Sequence, residues 1–141
     1  TWIVQESEYQ AMFGGEQRGI QQRSSYDKLK DAKRITLKNE DRDVFGDGTV
    51  VIKTAPGHTP GHQMLFLKLA KFGPVLLAGD LYHFPEEKTL DRVPTFDGDA
   101  AMTRVTRKKV DEFVKQTGAQ MWIEHDKTTH EKLKKSPQFY E

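Results

Sequence analysis

Two histidines stand four residues apart in the stretch Thr54-Ala55-Pro56-Gly57-His58-Thr59-Pro60-Gly61-His62-Gln63. On a helix that spacing would put both imidazoles on one face. Pro60 and Gly61 lie between them, so the segment reads as a loop. Pro56 and Pro60 stiffen it, and Gly57 and Gly61 let the backbone turn tightly. The apolar run Met64-Leu65-Phe66-Leu67 follows directly. A histidine at a rigid loop-to-strand junction aims its ring at a fixed point, which suits a metal ligand. The plainer reading is a loop histidine bonded to a backbone carbonyl.

The rest of the chain must position these groups. It has 141 residues, 30% charged and 35% hydrophobic, with a net charge of +1, and this reads as one domain with a core and a polar surface. No basic run implies nucleic acid. No apolar run approaches the roughly 20 residues that span a bilayer. There are no cysteines, which excludes disulfides, thiolate metal sites and a cysteine nucleophile. Any metal must be held by His, Asp or Glu. The chain begins Thr1-Trp2-Ile3-Val4, without Met and inside an apparent strand, so it reads as a fragment, with a cytoplasmic location expected.

The expected elements alternate. Trp2 to Val4 is a strand and Gln5 to Met12 a short helix, ended at Gly14-Gly15. Residues 16–33 form a polar surface excursion with a helical turn from Ser25 to Lys30. Arg34 to Leu37 is a strand, and Gly46-Asp47-Gly48 turns a hairpin between Asp43-Val44-Phe45 and Thr49 to Lys53. Gln63 to Leu69 and Val75 to Ala78 are strands apolar on both faces, which predicts cover on both sides. Residues 81–98 read as a loop. Asp99 caps a helix from Ala100 to about Gln116, with a stripe of Met102, Val105, Val110, Phe113 and Val114, and Gly118 stops it. Ala119 to Ile123 is a buried strand. Thr128 and Glu131 have the spacing of a capping box for a last short helix.

Three strand ends then stand out. His62 starts a strand, and Asp80 and His125 each follow one. Loops at one edge of a sheet carry chemistry because the sheet holds them rigidly. Two imidazoles and a carboxylate form a ligand set for Zn, Fe or Mn. Glu124 and Asp126 flank His125 and could orient it. Asp126 also reads as a helix cap or a surface charge.

The ordered set Gly57-His58-Thr59-Pro60-Gly61-His62, Gly79-Asp80 and His125-Asp126 resembles the second half of the metallo-β-lactamase superfamily, in its N-acyl-homoserine-lactone lactonase-like branch. The resemblance implies an α/β (α+β) fold: one half of an αββα sandwich, a mixed sheet with helices on its outer face. It implies that His62 ligates one metal, Asp80 bridges two, and His125 ligates the other. The resemblance implies that His58 is not a ligand but is structural or supports a ligand from behind. Zinc is the implied cofactor, as two ions, with Fe, Mn or Co as substitutes. The implied activity is opening of lactones by water made acidic on the metals, with Asp80 helping to deliver a proton to the leaving alkoxide. Thioester, phosphotriester and β-lactam hydrolysis occur on the same fold.

Tyr82 stands two residues after Asp80, and in the lactonase branch a tyrosine near that place polarises the substrate carbonyl. Tyr82 is read as a catalytic contact or as pocket lining. His83 could do the same or pack near Phe84. His130 reads as exposed.

The superfamily's first-half signature, His-x-His-x-Asp-His, is absent from the 141 residues. The expectation is therefore one domain, residues 1–141, that is the C-terminal portion of the fold. Its partners would be the missing half or a second chain, with a homodimer as the other arrangement, and an ester or lactone substrate. Alone it would be inactive. The rival expectation is a non-catalytic half-domain or metal-binding interaction module.

Overall fold

The computed structural model describes residues 1–14 and 26–141. Most of the surface excursion expected over 16–33, and the start of its helical turn at Ser25, lie outside the described residues. Within them a short 3₁₀ turn spans Asp27–Leu29.

Strands β1 (Trp2–Gln5) and β2 (Arg34–Leu37) form a small parallel pair, joined through α1 (Glu6–Phe13). A second sheet has the order β3 (Arg42–Asp43), β4 (Val50–Thr54), β5 (Gln63–Leu69), β6 (Gly73–Leu77) and β7 (Gln120–Trp122). Its first four strands are antiparallel, and β6 and β7 are parallel. A parallel pair needs a long crossover. Here it runs through α2 (Pro85–Thr89) and α3 (Ala100–Thr117). The last helix, α4, is Lys127–Lys132. No helix of the described residues is long and apolar enough to cross a membrane.

The mixed sheet with helices agrees with the expected fold class. The hairpin forms, with a longer loop than a two-residue turn: Asp43 gathers the N–H groups of Phe45, Gly46 and Gly48 on its carboxylate. Gly46 and Gly48 both have positive φ, which explains glycine there.

Helix α3 starts where expected. Asp99 accepts the N–H of Met102, and Gly118 ends the helix in the left-handed conformation. Its buried face differs from the expected stripe. Thr103, Thr106, Arg107 and Val110 are buried, whereas Met102 and Val105 are 40% and 47% exposed. Thr103 faces the inside because Gly57 meets it there: a Cβ on Gly57 would lie 2.4 Å from Thr103 Oγ1. The C-terminal part of the stripe holds, with Val110 buried and Phe113 and Val114 packed on the core, and only Met102 and Val105 at its start are left exposed.

Two further expectations are corrected. Residues 81–98 contain helix α2, announced by Pro85 at its first turn and by Glu86 and Glu87 beside its positive end. In α4 the N-cap is Asp126, which accepts from Thr129 N–H, so the capping-box role of Thr128 falls away. The Thr129 bonds also hold the Asp126 carboxyl below the usual range, the side-chain hydroxyl contributing most.

One sheet face packs on α3. Met64, Phe66 and Leu76 are buried there with Val110, and Phe113 meets Phe66 edge-on with centroids 5.0 Å apart. The opposite face carries Val50, Ile52, Leu65, Leu67, Leu77 and Trp122 in register. All six are only half-buried. Cover on both sides is complete at Val75 and Leu76 of β6, which are fully buried, but not at Leu77 or along β5.

Candidate metal centre

The loop between β4 and β5 is closed at its neck by one residue pair. Ala55 N–H donates to the His62 carbonyl at 2.8 Å, and His62 Nδ1–H donates to the Ala55 carbonyl at 3.1 Å. The loop tip rests on α1: Gly61 N–H donates to Glu8 Oε2 at 2.8 Å, and Ser7 Oγ donates to the Pro60 carbonyl at 2.9 Å. A Cβ on Gly61 would lie 2.5 Å from Glu8 Cβ, so glycine allows that approach.

His62 thus makes the carbonyl bond of the plainer reading. Its Nδ1 bonds a carbonyl, and that bond fixes the tautomer with the lone pair on Nε2. Burial pushes its pKa below the ordinary value, which keeps the ring neutral, although the Ala55 carbonyl opposes this. Nε2 accepts the backbone N–H of Asp80 at 3.0 Å. Asp80 follows β6 through Gly79, whose φ of +52° and closeness to the His62 ring leave no room for a side chain.

Asp80 is the hub. His125, just after β7, brings Nε2 to 2.9 Å from Asp80 Oδ1. His83 brings Nε2 to 3.9 Å from the same oxygen, and His58 brings Nε2 to 3.5 Å from Oδ2. The His83 and His125 rings stack at 5.1 Å, 15° from parallel. His58, Asp80 and His83 each present one ligand atom within 4.8 Å of the others. The structure therefore brings His58, His62, Asp80, His83 and His125 together, from three chain segments.

Tyr82 and Asp126 are elsewhere. Tyr82 is 2% exposed in the core, its ring 4.2 Å below the Arg107 guanidinium. It lines a small cavity with Lys88, Asp91 and Asp111 instead of facing the histidines, so the expected catalytic contact is not formed. The reason is alternation: in the extended backbone after the 3₁₀ turn Gly79–Leu81, Tyr82 turns inward and His83 faces the cluster. Asp126 caps α4 and makes no bond to the His125 ring. His130 is exposed, as expected.

Sequence reasoning missed the groups that hold the cluster. Asp97, with its side chain 1% exposed, accepts from His58 Nδ1 at 2.9 Å and from Thr103 Oγ1 at 2.7 Å. Glu87 Oε1 lies 3.5 Å from His83 Nδ1, and its other oxygen pairs with Arg107. Arg107 Nε also donates to the Leu81 carbonyl at 2.9 Å. The four-residue step from His83 to Glu87 was a usable signal once Pro85 was read as a helix start. Asp97 gave none, because its contacts join residues 39 apart. Beside the cluster an apolar cleft of about 700 Å³ is walled by Phe84, Leu90, Val93 and Phe96, with His83 and His125 at its edge.

No family model matches the chain. It is 34% identical to the N-acyl homoserine lactonase AttM of Rhizobium radiobacter over 148 residues, covering 99% of this chain and 55% of that protein. It is 33% identical to the AttM of Azorhizobium caulinodans over 99 residues, 70% of this chain and 38% of that one. A solved N-acyl homoserine lactone hydrolase, with the product N-hexanoyl-L-homoserine at its catalytic metal center, superposes with a TM-score of 0.79 at 28% identity, covering 98% of this chain and 51% of that one. The chain spans about half the length of these proteins, or less.

Proposed function

Because the chain belongs to the lactonase-like branch of the metallo-β-lactamase superfamily, we propose that it supplies one half of the active site of a metal-dependent lactone hydrolase. N-acyl homoserine lactones are the substrate class, and zinc is the cation the donor set suits. The observation that carries this reading is the convergence of His62, Asp80 and His125 from three strand ends.

The donor set fits a divalent cation. His62 has its Nδ1–H committed to the Ala55 carbonyl, as a ligating imidazole requires, while its Nε2 accepts the Asp80 N–H. A cation at His62 would have to replace the Asp80 N–H on that lone pair. Asp80 offers two oxygens, already approached by imidazoles from both sides. His62, Asp80 and His125 would hold the metal or metals. When bound, these acidify water and polarise the lactone carbonyl.

The chain's own residues do the rest. Asp80 lies at the centre with its side chain 40% exposed, so one carboxylate oxygen can pass a proton to the leaving alkoxide. Phe84, Leu90 and Phe96 make an apolar wall that keeps water from one side of the lactone. The half-buried face of Val50, Ile52, Leu65, Leu67, Leu77 and Trp122 is suited to the second sheet of a sandwich, about 10 Å away. That sheet would bring the His-x-His-x-Asp-His segment, from the same protein or from a second chain.

The test is N-hexanoyl homoserine lactone turnover with zinc. It is measured for the 141 residues alone and for the same residues combined with the first half of a lactonase. Turnover above free zinc should appear only in the combination, and Asp80→Asn should abolish it. Strong turnover by the 141 residues alone, or none from a correctly folded combination, refutes the reading.

A further inference from the structure

We infer that His58, Asp80 and His83 form a zinc site within this chain, distinct in its histidines from the His62, Asp80 and His125 set.

Ligands bonded to zinc at roughly 2.0–2.2 Å in a tetrahedron stand roughly 3.4 Å from one another. His58 Nε2 is 3.5 Å from Asp80 Oδ2, and His83 Nε2 is 3.9 Å from Asp80 Oδ1. All three ligand atoms fall within 4.8 Å of one another, so small rotations close the set. Three protein ligands with a fourth position open is the arrangement of a catalytic zinc.

Each imidazole is backed by a carboxylate on its far nitrogen. Asp97 takes the His58 Nδ1–H at 2.9 Å and is itself fixed by Thr103. Glu87 stands 3.5 Å behind His83 Nδ1 and is fixed by Arg107. Carboxylate–histidine pairs of this kind set the tautomer that leaves Nε2 free, and they raise the basicity of the ligand. His83 Nδ1 is buried and has no hydrogen bond among the described residues, in a residue only 9% exposed. A cation on Nε2 would strengthen its Nδ1–H as a donor and draw it onto Glu87.

The competing set is less ready. The His62 lone pair already accepts the Asp80 amide, and the His125 side chain is 53% exposed. Neither His58 nor His83 has an Nε2 hydrogen bond among the described residues. The two sets share Asp80, so a cation at one excludes the full occupation of the other unless Asp80 bridges them.

The site is tested by zinc titration of the 141-residue chain, read by calorimetry and by imidazole ¹⁵N resonances. One zinc should bind saturably, and the Nε2 signals of His58 and His83 should move with it. His58→Gln and His83→Gln should each weaken binding at least tenfold, with circular dichroism showing that each variant stays folded. The wild-type resonances keep the test decisive where a variant unfolds. The inference is overturned if zinc does not bind saturably. It is equally overturned if zinc binds while the His58 and His83 signals stay still, or if either folded variant binds as tightly as wild type. Loss of binding confined to His62→Gln and His125→Gln would overturn it and leave the lactonase reading standing. Failure of lactone turnover leaves it untouched, since no turnover enters the measurement.

Discussion

The backbone N–H of Asp80 donates to Nε2 of His62 across 3.0 Å, and this bond ties the Pro-Gly loop to the end of β6. Removing the imidazole leaves a buried amide and the Ala55 carbonyl with one partner fewer each. Each such loss costs about 1–3 kcal/mol. His62→Ala should therefore lower stability by at least about 1 kcal/mol in metal-free denaturant unfolding. A variant as stable as wild type would show that His62 has no structural role.

Gly57 has a φ of +138°, and a Cβ there would lie 2.6 Å from the Thr103 backbone N. Backbone strain costs roughly 1–3 kcal/mol, and overpacking a similar amount. Gly57→Ala should reduce stability by more than about 2 kcal/mol and disturb the His58–Asp97 bond. Thermal unfolding checks the first, and the His58 ring resonances the second. Gly46, with nothing within 4 Å, should lose less on the same substitution.

Arg107 is 5% exposed and holds the Leu81 carbonyl and the Glu87 carboxylate together. Breaking a buried pair by removing one partner costs about 3–5 kcal/mol. Arg107→Ala should show a loss of that size in urea unfolding. Adding Glu87→Gln should recover part of it, because the second change removes the stranded charge. Equal stability of the single and double variants would refute the coupling.

Tyr82 has its pKa pushed up to about 12, first by burial and then by the nearby Asp111 carboxylate. Its folded value exceeds the ordinary 10.0, so the folded state keeps a proton that the unfolded state has lost. Its contribution is fully present below pH 10.0 and is lost as pH rises toward about 12. Alkaline titration followed by tyrosinate absorbance should show one late component, absent from Tyr82→Phe. The same variant should bind zinc as wild type does. A Tyr82 that ionises with the exposed tyrosines would place it outside the core.

Leu65 and Leu67 stand on the half-buried sheet face opposite α3. A contiguous apolar face of this kind associates. Sedimentation of the chain should show self-association that Leu67→Lys weakens. Phe66→Lys, on the face packed by α3, should instead unfold the chain. A wild-type chain that stays monomeric at every concentration tested would refute the idea.

Much was legible in the sequence for local reasons. Strands β5, β6 and β7 followed from short apolar runs, α3 from Asp99, its apolar period and Gly118, and the hairpin from Gly46-Asp47-Gly48. The lack of cysteine limited the ligands to His and carboxylates, and the Pro-Gly loop and strand ends singled out His62, Asp80 and His125. The tertiary structure decided the rest. Whether Tyr82 or His83 faces the cluster depended on the turn after β6, which residue type does not specify. Asp97 and Glu87 became the supports of His58 and His83 only because the crossover from β6 to β7 folds their segments back over the loop. At the start of α3 the close approach of Gly57 puts Thr103 on the buried side, a contact between residues 46 positions apart, while Val110, Phe113 and Val114 keep to the hydrophobic period of the helix.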